Sequence, residues 1–178
     1  MPRIFIIGPG GVGKTTAGGE LARLLDCPFL DLDQAFMARV GHIDAVIRGQ
    51  GYARYVELNA QLFATLCEEL PETCVVPLSS GFLARETPAD LLAANQARVK
   101  AAGASIRLLP SQDLAIATQI VVARQMGRGL NLDEARETAK FVRRFSDYLD
   151  QGDLRIFSAA PPTQIAAEMA RALGLTRS

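Results

Sequence analysis

The sequence predicts an α/β protein built on a five-stranded parallel sheet with helices on both faces, and two observations carry that expectation. Five short apolar runs, at residues 4–7, 27–33, 73–78, 105–109 and 154–157, alternate with helical patterns, and such alternation puts crossover helices on both sides of a sheet. The loops that follow these runs are rich in glycine, serine and aspartate, as suits ligand binding beyond the carboxyl ends of parallel strands.

The first run, Ile4-Phe5-Ile6-Ile7, leads into Gly8-Pro9-Gly10-Gly11-Val12-Gly13-Lys14-Thr15, which fits the phosphate-loop pattern G-x-x-x-x-G-K-[ST]. Glycines let successive backbone N–H groups turn inward on a polyphosphate, and the helix expected over 16–25 adds the positive end of its dipole. Lys14 then reaches the β- and γ-phosphates and the Thr15 hydroxyl ligates Mg²⁺, so the stretch reads as a nucleoside triphosphate site. Gly8, Gly10, Gly11, Val12, Gly13, Lys14, Thr15 and Thr16 are the candidate nucleotide-binding residues of the loop.

The run at 27–33 ends in Asp31 and Asp33, which a period of two puts on one side of an extended segment; a helix N-cap ahead of Gln34 is the other reading. Residues 41–51, with Gly41, Gly49 and Gly51, suit a short helix and a loop. A helix follows over 53–70, with Leu58, Leu62, Phe63, Leu66 and Leu70 as its apolar stripe. Arg54 in its first turn opposes the helix dipole, which points either to a ligand or to an ordinary surface arginine. The run at 73–78 reads as a buried strand despite Pro77, and leads to the loop Ser79-Ser80-Gly81. Helices are expected over 88–102, 113–124, 133–149 and 163–173, with Gly103 and Gly174 as stops. Between the second and third of these lies a polar, glycine-bearing segment at 125–131, the composition of a lid. Arg124, just before it, either stacks on a nucleotide base or is an exposed helical arginine.

A chain of 178 residues, 49% of them hydrophobic, suits one well-filled domain over 1–178. Its 19 basic and 19 acidic side chains give no net field for nucleic acid or an anionic membrane, so the expected partner is a small molecule. Cys27, Cys67 and Cys74 form no C-x-x-C pair and His42 has no ligand-like neighbours, which favours reduced thiols in a cytoplasmic protein over a zinc site or disulfides. No apolar window approaches the ~18 residues of a membrane span. Neither a heptad seam nor an obvious exposed patch suggests an oligomer, so a soluble monomer is expected.

Taken together, the loop 8–15, Asp31-Leu32-Asp33, Gly49 with Arg54 and Glu57, Arg128 in the lid, and Arg144 followed by Tyr148 and Asp153 resemble the shikimate kinase family over nearly the whole chain. The resemblance implies a three-layer α/β/α P-loop kinase fold with a substrate-binding region at 33–60 and a lid at 125–138. It implies transfer of the γ-phosphoryl group of ATP, with Mg²⁺, to a hydroxyl of a carboxylate-bearing acceptor, shikimate leading. Within it, Thr15 and Asp31 would hold the Mg²⁺ shell and Asp33 would orient or deprotonate the attacking hydroxyl. Arg54 and Arg144 would clamp the substrate carboxylate, Ser80 and Gly81 would line the acceptor pocket, and Arg128 would arrive with the lid. Lys14, Asp33 and Arg128 are thus the catalytic candidates.

The sequence departs from the family pattern on the acceptor side. A glycine triplet becomes Ser79-Ser80-Gly81, the aromatic residue before Arg54 is Ala53 with Tyr52 ahead of it, the stretch between His42 and Arg54 is about two residues short, and Gly129 replaces the proline after the lid arginine. Two further readings therefore stand beside the first: a related kinase for gluconate or a nucleoside monophosphate, and a nucleotide-binding module without kinase activity.

Overall fold

The computed structural model describes residues 2–127 and 133–175. Among the described residues the sheet has four strands, β1 (Arg3–Ile7), β2 (Val75–Pro77), β3 (Gly103–Leu109) and β4 (Leu154–Phe157), in the order β2-β1-β3-β4 with every pair parallel. The fifth strand expected at 27–33 is reduced to one parallel bridge between Phe29 and Val75, framed by Val75 N–H to the Pro28 carbonyl at 2.9 Å and Leu30 N–H to the Val75 carbonyl at 3.1 Å. Two local causes keep it short. Pro28 has no N–H to extend the ladder, and Asp31 already caps helix α2 (Leu32–Arg39), so the chain leaves the extended conformation at once. Asp31 and Asp33 accordingly do not share one side of a strand: the first is an N-cap and the second lies in a helical first turn.

Pro77 is tolerated for a geometric reason. Val75 donates outward to Pro28 and Leu78 donates inward to the Ile6 carbonyl at 2.9 Å, so alternation aims the position of Pro77's missing donor outward, where the edge segment has already turned away.

Period-two alternation in β1 divides the core. Ile4 and Ile6 face helices α1 (Lys14–Leu25) and α8 (Pro162–Ala172), meeting Leu21, Ile165 and Met169, while Phe5 and Ile7 face the side of α2, α4 (Tyr52–Glu69) and α5 (Ala89–Ala102). The short helix α3 (Ile43–Gln50) precedes α4, as the glycine-bounded stretch suggested. Helices α6 (Leu114–Met126) and α7 (Glu134–Tyr148) complete the first layer: Val121, Phe141 and Phe145 join the core of α1 and α8, whereas Tyr148 at the end of α7 enters the other. Helix α7 therefore crosses the carboxyl end of the sheet and touches both layers. Of the lid span at 125–138, Gln125 and Met126 finish α6, and α7 starts behind the Asp133 cap, whose carboxylate accepts from the Arg136 N–H at 2.9 Å. Arg128 and Gly129 lie outside the described residues.

Phe63 joins α4 to the sheet and to the loop after β2, meeting Phe5 edge to face at 5.4 Å and Phe82 at 4.9 Å. Because it is fully buried, Phe63→Ala should cost about 3–5 kcal/mol in urea unfolding.

Candidate active site

The carboxyl ends of β1 and β2 deliver two loops to the same place. In the first, Gly8, Gly11 and Gly13 all have positive φ, and Gly13 caps α1 in the left-handed conformation. Gly11 is required twice over: its φ is +79°, and a Cβ there would stand 2.7 Å from Val121 Cγ1 and 3.1 Å from the Gln125 side chain, so α6 packs directly on the loop. Lys14 folds back along the loop, its Nζ donating to the carbonyls of Gly8 at 2.8 Å and Pro9 at 2.9 Å. The Val12 side chain belongs to the core, leaving its backbone to the loop, and the exposed Thr16 donates its hydroxyl to the Gly13 carbonyl at 3.1 Å. Arg124 spans this loop and the one after β4, donating to the carbonyls of Val12 at 3.4 Å and Ala159 at 3.2 Å.

Asp31 joins the loop to α2. Its Oδ2 accepts the Thr15 hydroxyl at 2.7 Å, and its Oδ1 accepts the backbone N–H groups of Asp33 at 2.9 Å and Gln34 at 3.1 Å. A threonine hydroxyl beside a carboxylate is an all-oxygen donor pair, the hard set that Mg²⁺ takes alongside water and phosphate. The cap also directs Asp33 toward the second loop, where Ser79 Oγ donates to Asp33 Oδ1 at 2.5 Å and itself accepts from Asn59 Nδ2 at 2.9 Å. Burial raises the Asp33 carboxyl above its ordinary value, while the Ser79 hydrogen bond and the charges of Lys14 and Arg144 pull it down. The two loops themselves meet where a Cβ on Gly10 would lie 3.8 Å from Ser80.

Arg144 is the centre of the second pocket and is 5% exposed. One terminal nitrogen, Nη1, donates to Ser80 Oγ at 2.9 Å, and Nη2 donates to the Tyr52 hydroxyl at 3.2 Å and to Glu86 Oε2 at 2.7 Å. Burial would lower the Arg144 pKa, but the Glu86 carboxylate more than compensates and holds the guanidinium charged. Tyr148 fixes the loop from below, donating to the Ser80 carbonyl at 3.1 Å and accepting from the Leu83 N–H at 3.4 Å.

Of the candidates named from sequence, the structure brings together Lys14, Thr15, Asp31, Asp33, Ser80, Gly81 and Arg144. Arg54 sits exposed in the first turn of α4 and is paired with Glu57 at 2.9 Å, not with Arg144. Arg128 lies outside the described residues. Sequence reasoning missed Glu86 and Asn59 altogether. Glu86 sits in an irregular stretch without periodicity, and Asn59 reads as one polar residue in a helix, so neither carries a signal. Tyr52 was visible as an aromatic one place early, but its hydroxyl contact with Arg144 was not.

Fold and loop together define an α/β protein of the P-loop class. A family model described as Shikimate kinase matches residues 10–108. The chain belongs to the shikimate kinase family. It is 40% identical over 95 residues to a shikimate kinase of Halorhodospira halophila, covering 52% of this chain and 51% of that protein. The chain spans about half or less of the length of the curated relatives first matched, 38% in the case of the Xanthomonas euvesicatoria enzyme. Among solved structures, the shikimate kinase from Acinetobacter baumannii in complex with shikimate superposes with a TM-score of 0.76 at 21% identity, covering 100% of this chain and 96% of that one. A gluconokinase from Sinorhizobium meliloti gives a TM-score of 0.62 at 17% identity over 98% of this chain and 95% of that one, so the fold alone does not choose the acceptor.

Gly11→Ala should weaken binding of a fluorescent ATP analogue roughly 5- to 150-fold, as expected from the ~1–3 kcal/mol a strained backbone position costs, with an unchanged far-ultraviolet circular dichroism spectrum. Glu86 yields a pH prediction. Burial would raise its carboxyl, yet Arg144 and Arg143 hold it below 4.5, so its stabilising contribution is complete above that pH and is lost as pH falls through the lower folded value. Urea unfolding of Glu86→Gln should therefore show a flatter loss of stability below pH 4.5 than the parent chain.

Proposed function

We propose that this protein transfers the γ-phosphoryl group of ATP to a hydroxyl of a small carboxylate-bearing acceptor, with shikimate the leading candidate. The observation that carries this reading is the Ser79 hydrogen bond to Asp33. It holds Asp33, two residues from the Asp31 that takes the phosphate-loop threonine, beside the loop whose next residue, Ser80, meets Arg144. In the reaction, the acceptor hydroxyl gives its proton to Asp33 as its oxygen bonds to the γ-phosphorus. The bond from that phosphorus to the bridging oxygen breaks, and ADP leaves with the electron pair. Such a loose, metaphosphate-like transfer needs alignment and cationic stabilisation more than covalent chemistry, which Lys14 and the loop amides supply on the donor side.

Thr15 and Asp31 would hold Mg²⁺, which when bound neutralises charge on the β- and γ-phosphates. Arg124, beside the loop after β4, would border the nucleotide base. On the acceptor side, Arg144 with Ser80, Gly81 and Tyr52 would receive the carboxylate, and Arg54 would complete the clamp by releasing Glu57. Arg128 keeps the role that the family resemblance assigns it, a lid cation reaching the transferred phosphoryl group. The protein acts as a cytoplasmic monomer on a small hydroxy acid, without nucleic acid or membrane as partner; among the described residues, no helix is long and apolar enough to cross a membrane.

A second acceptor is favoured by one observation. Ser80 places a hydroxyl against Arg144 where the family pattern has glycine, which adds a hydrogen-bonding group to the pocket wall that suits a polyol acid such as gluconate, the alternative.

A coupled ADP-release assay across shikimate, quinate, gluconate and nucleoside monophosphates should show turnover on shikimate. Lys14→Met should abolish it, and Asp33→Asn should lower kcat about a hundredfold or more with KM for ATP little changed. Turnover on gluconate alone would replace the acceptor, and ATP binding without transfer to any of them would point to a non-catalytic module.

A further inference from the structure

We infer that Ser79 and Asn59 are positioning residues for Asp33, selecting which of its carboxylate oxygens meets the acceptor hydroxyl. This inference rests on the kinase reading above. Asn59, on the buried face of α4, is 2% exposed and Ser79 is 3% exposed, so water does not compete for their contacts. The direction of the chain follows from proton counting. An ionised carboxylate only accepts, so the single Ser79 proton must point to Asp33 Oδ1, and Asn59 must then present its amide nitrogen to the Ser79 oxygen. Turning the amide over would satisfy the Asn59 Oδ1 atom, which is buried without a hydrogen bond, but it would draw the serine proton away and leave a lone pair facing the carboxylate. The network accepts one unsatisfied oxygen on Asn59 in order to keep a donor on Asp33.

The consequence falls on the other oxygen. With Oδ1 held by Ser79, and the backbone of Asp33 held by the Asp31 cap, rotation of the carboxylate is restricted and Oδ2 is left as the acceptor for the substrate proton. Glycine at position 79, as in the family pattern, has no hydroxyl with which to do this. Ser79 thus converts part of a pocket wall into a support for the base.

The test uses the full chain and the acceptor that the parent enzyme phosphorylates, with Asp33→Asn as control. Ser79→Ala should lower kcat about tenfold and leave KM for ATP unchanged, a fraction of the roughly hundredfold or greater effect of general-base catalysis, and Ser79→Thr should restore most of the loss. Asn59→Ala should reproduce the Ser79→Ala loss, and the double variant should be no worse than either alone, because the two act in series. Asn59→Leu, of similar size but without donors, serves if Asn59→Ala does not fold. If Ser79→Ala keeps the parent kcat while Asp33→Asn collapses, or if the two single losses multiply, the positioning role is overturned and the kinase reading stands. If Asp33→Asn itself turns over normally, Asp33 is not the base and the reading beneath the inference fails first.

Discussion

The site depends on the two oxygens of one carboxylate doing separate work. Asp31 Oδ2 takes the Thr15 hydroxyl while Oδ1 takes two backbone N–H groups at the start of α2. The first contact fixes α2 to the phosphate loop. The second is an N-cap, a contribution of about 1 kcal/mol that also decides where the chain stops being extended. Asp33 therefore lies in a helical first turn, and its side chain reaches Ser79 in the loop after β2, the strand that its own segment bridges. Had the chain remained a strand through 33, no such contact would follow from the pleat alone.

The side proposed for the acceptor is organised around a buried charge. Removing a guanidinium from water is costly, and a buried ion pair is weak evidence of stabilisation. Arg144 is tolerated because Glu86, Tyr52 and Ser80 together accept from its terminal nitrogens. Those partners come from α4 and from the loop after β2, so the arginine joins three parts of the chain far apart in sequence. Helix α7 can carry it there because Phe141 and Phe145 anchor one side of the helix in one core, and Tyr148 anchors its end in the other. Gly81 is part of the same arrangement, its missing side chain being the space in which Tyr52 and Arg144 meet.

The phosphate loop and the layered α/β fold were legible because both are written in short-range patterns: a fixed spacing of glycines before Lys-Thr, and short continuous apolar runs alternating with helical segments. The edge strand was misread because a run such as Cys27-Pro28-Phe29-Leu30 has strand composition, whereas its length was decided by a missing N–H and a competing cap. Arg54 shows a different limit. Its place at a helix start is evident from the sequence, but its choice of Glu57 one turn away is a local pairing that a motif cannot exclude.

By itself, then, the sequence determined the phosphate-loop half of the candidate site: where the glycine-spaced loop ending in Lys14-Thr15 lies, and that a parallel sheet presents it. Only the tertiary structure decided the half proposed for the acceptor, because Asp33, Asn59, Ser79, Glu86 and Arg144 come from separate elements and meet through packing. The physical reason is one of range. A phosphate cradle is made of consecutive backbone amides and so is encoded by consecutive residues, whereas a pocket for an organic acid is made of side chains whose proximity no spacing along the chain records.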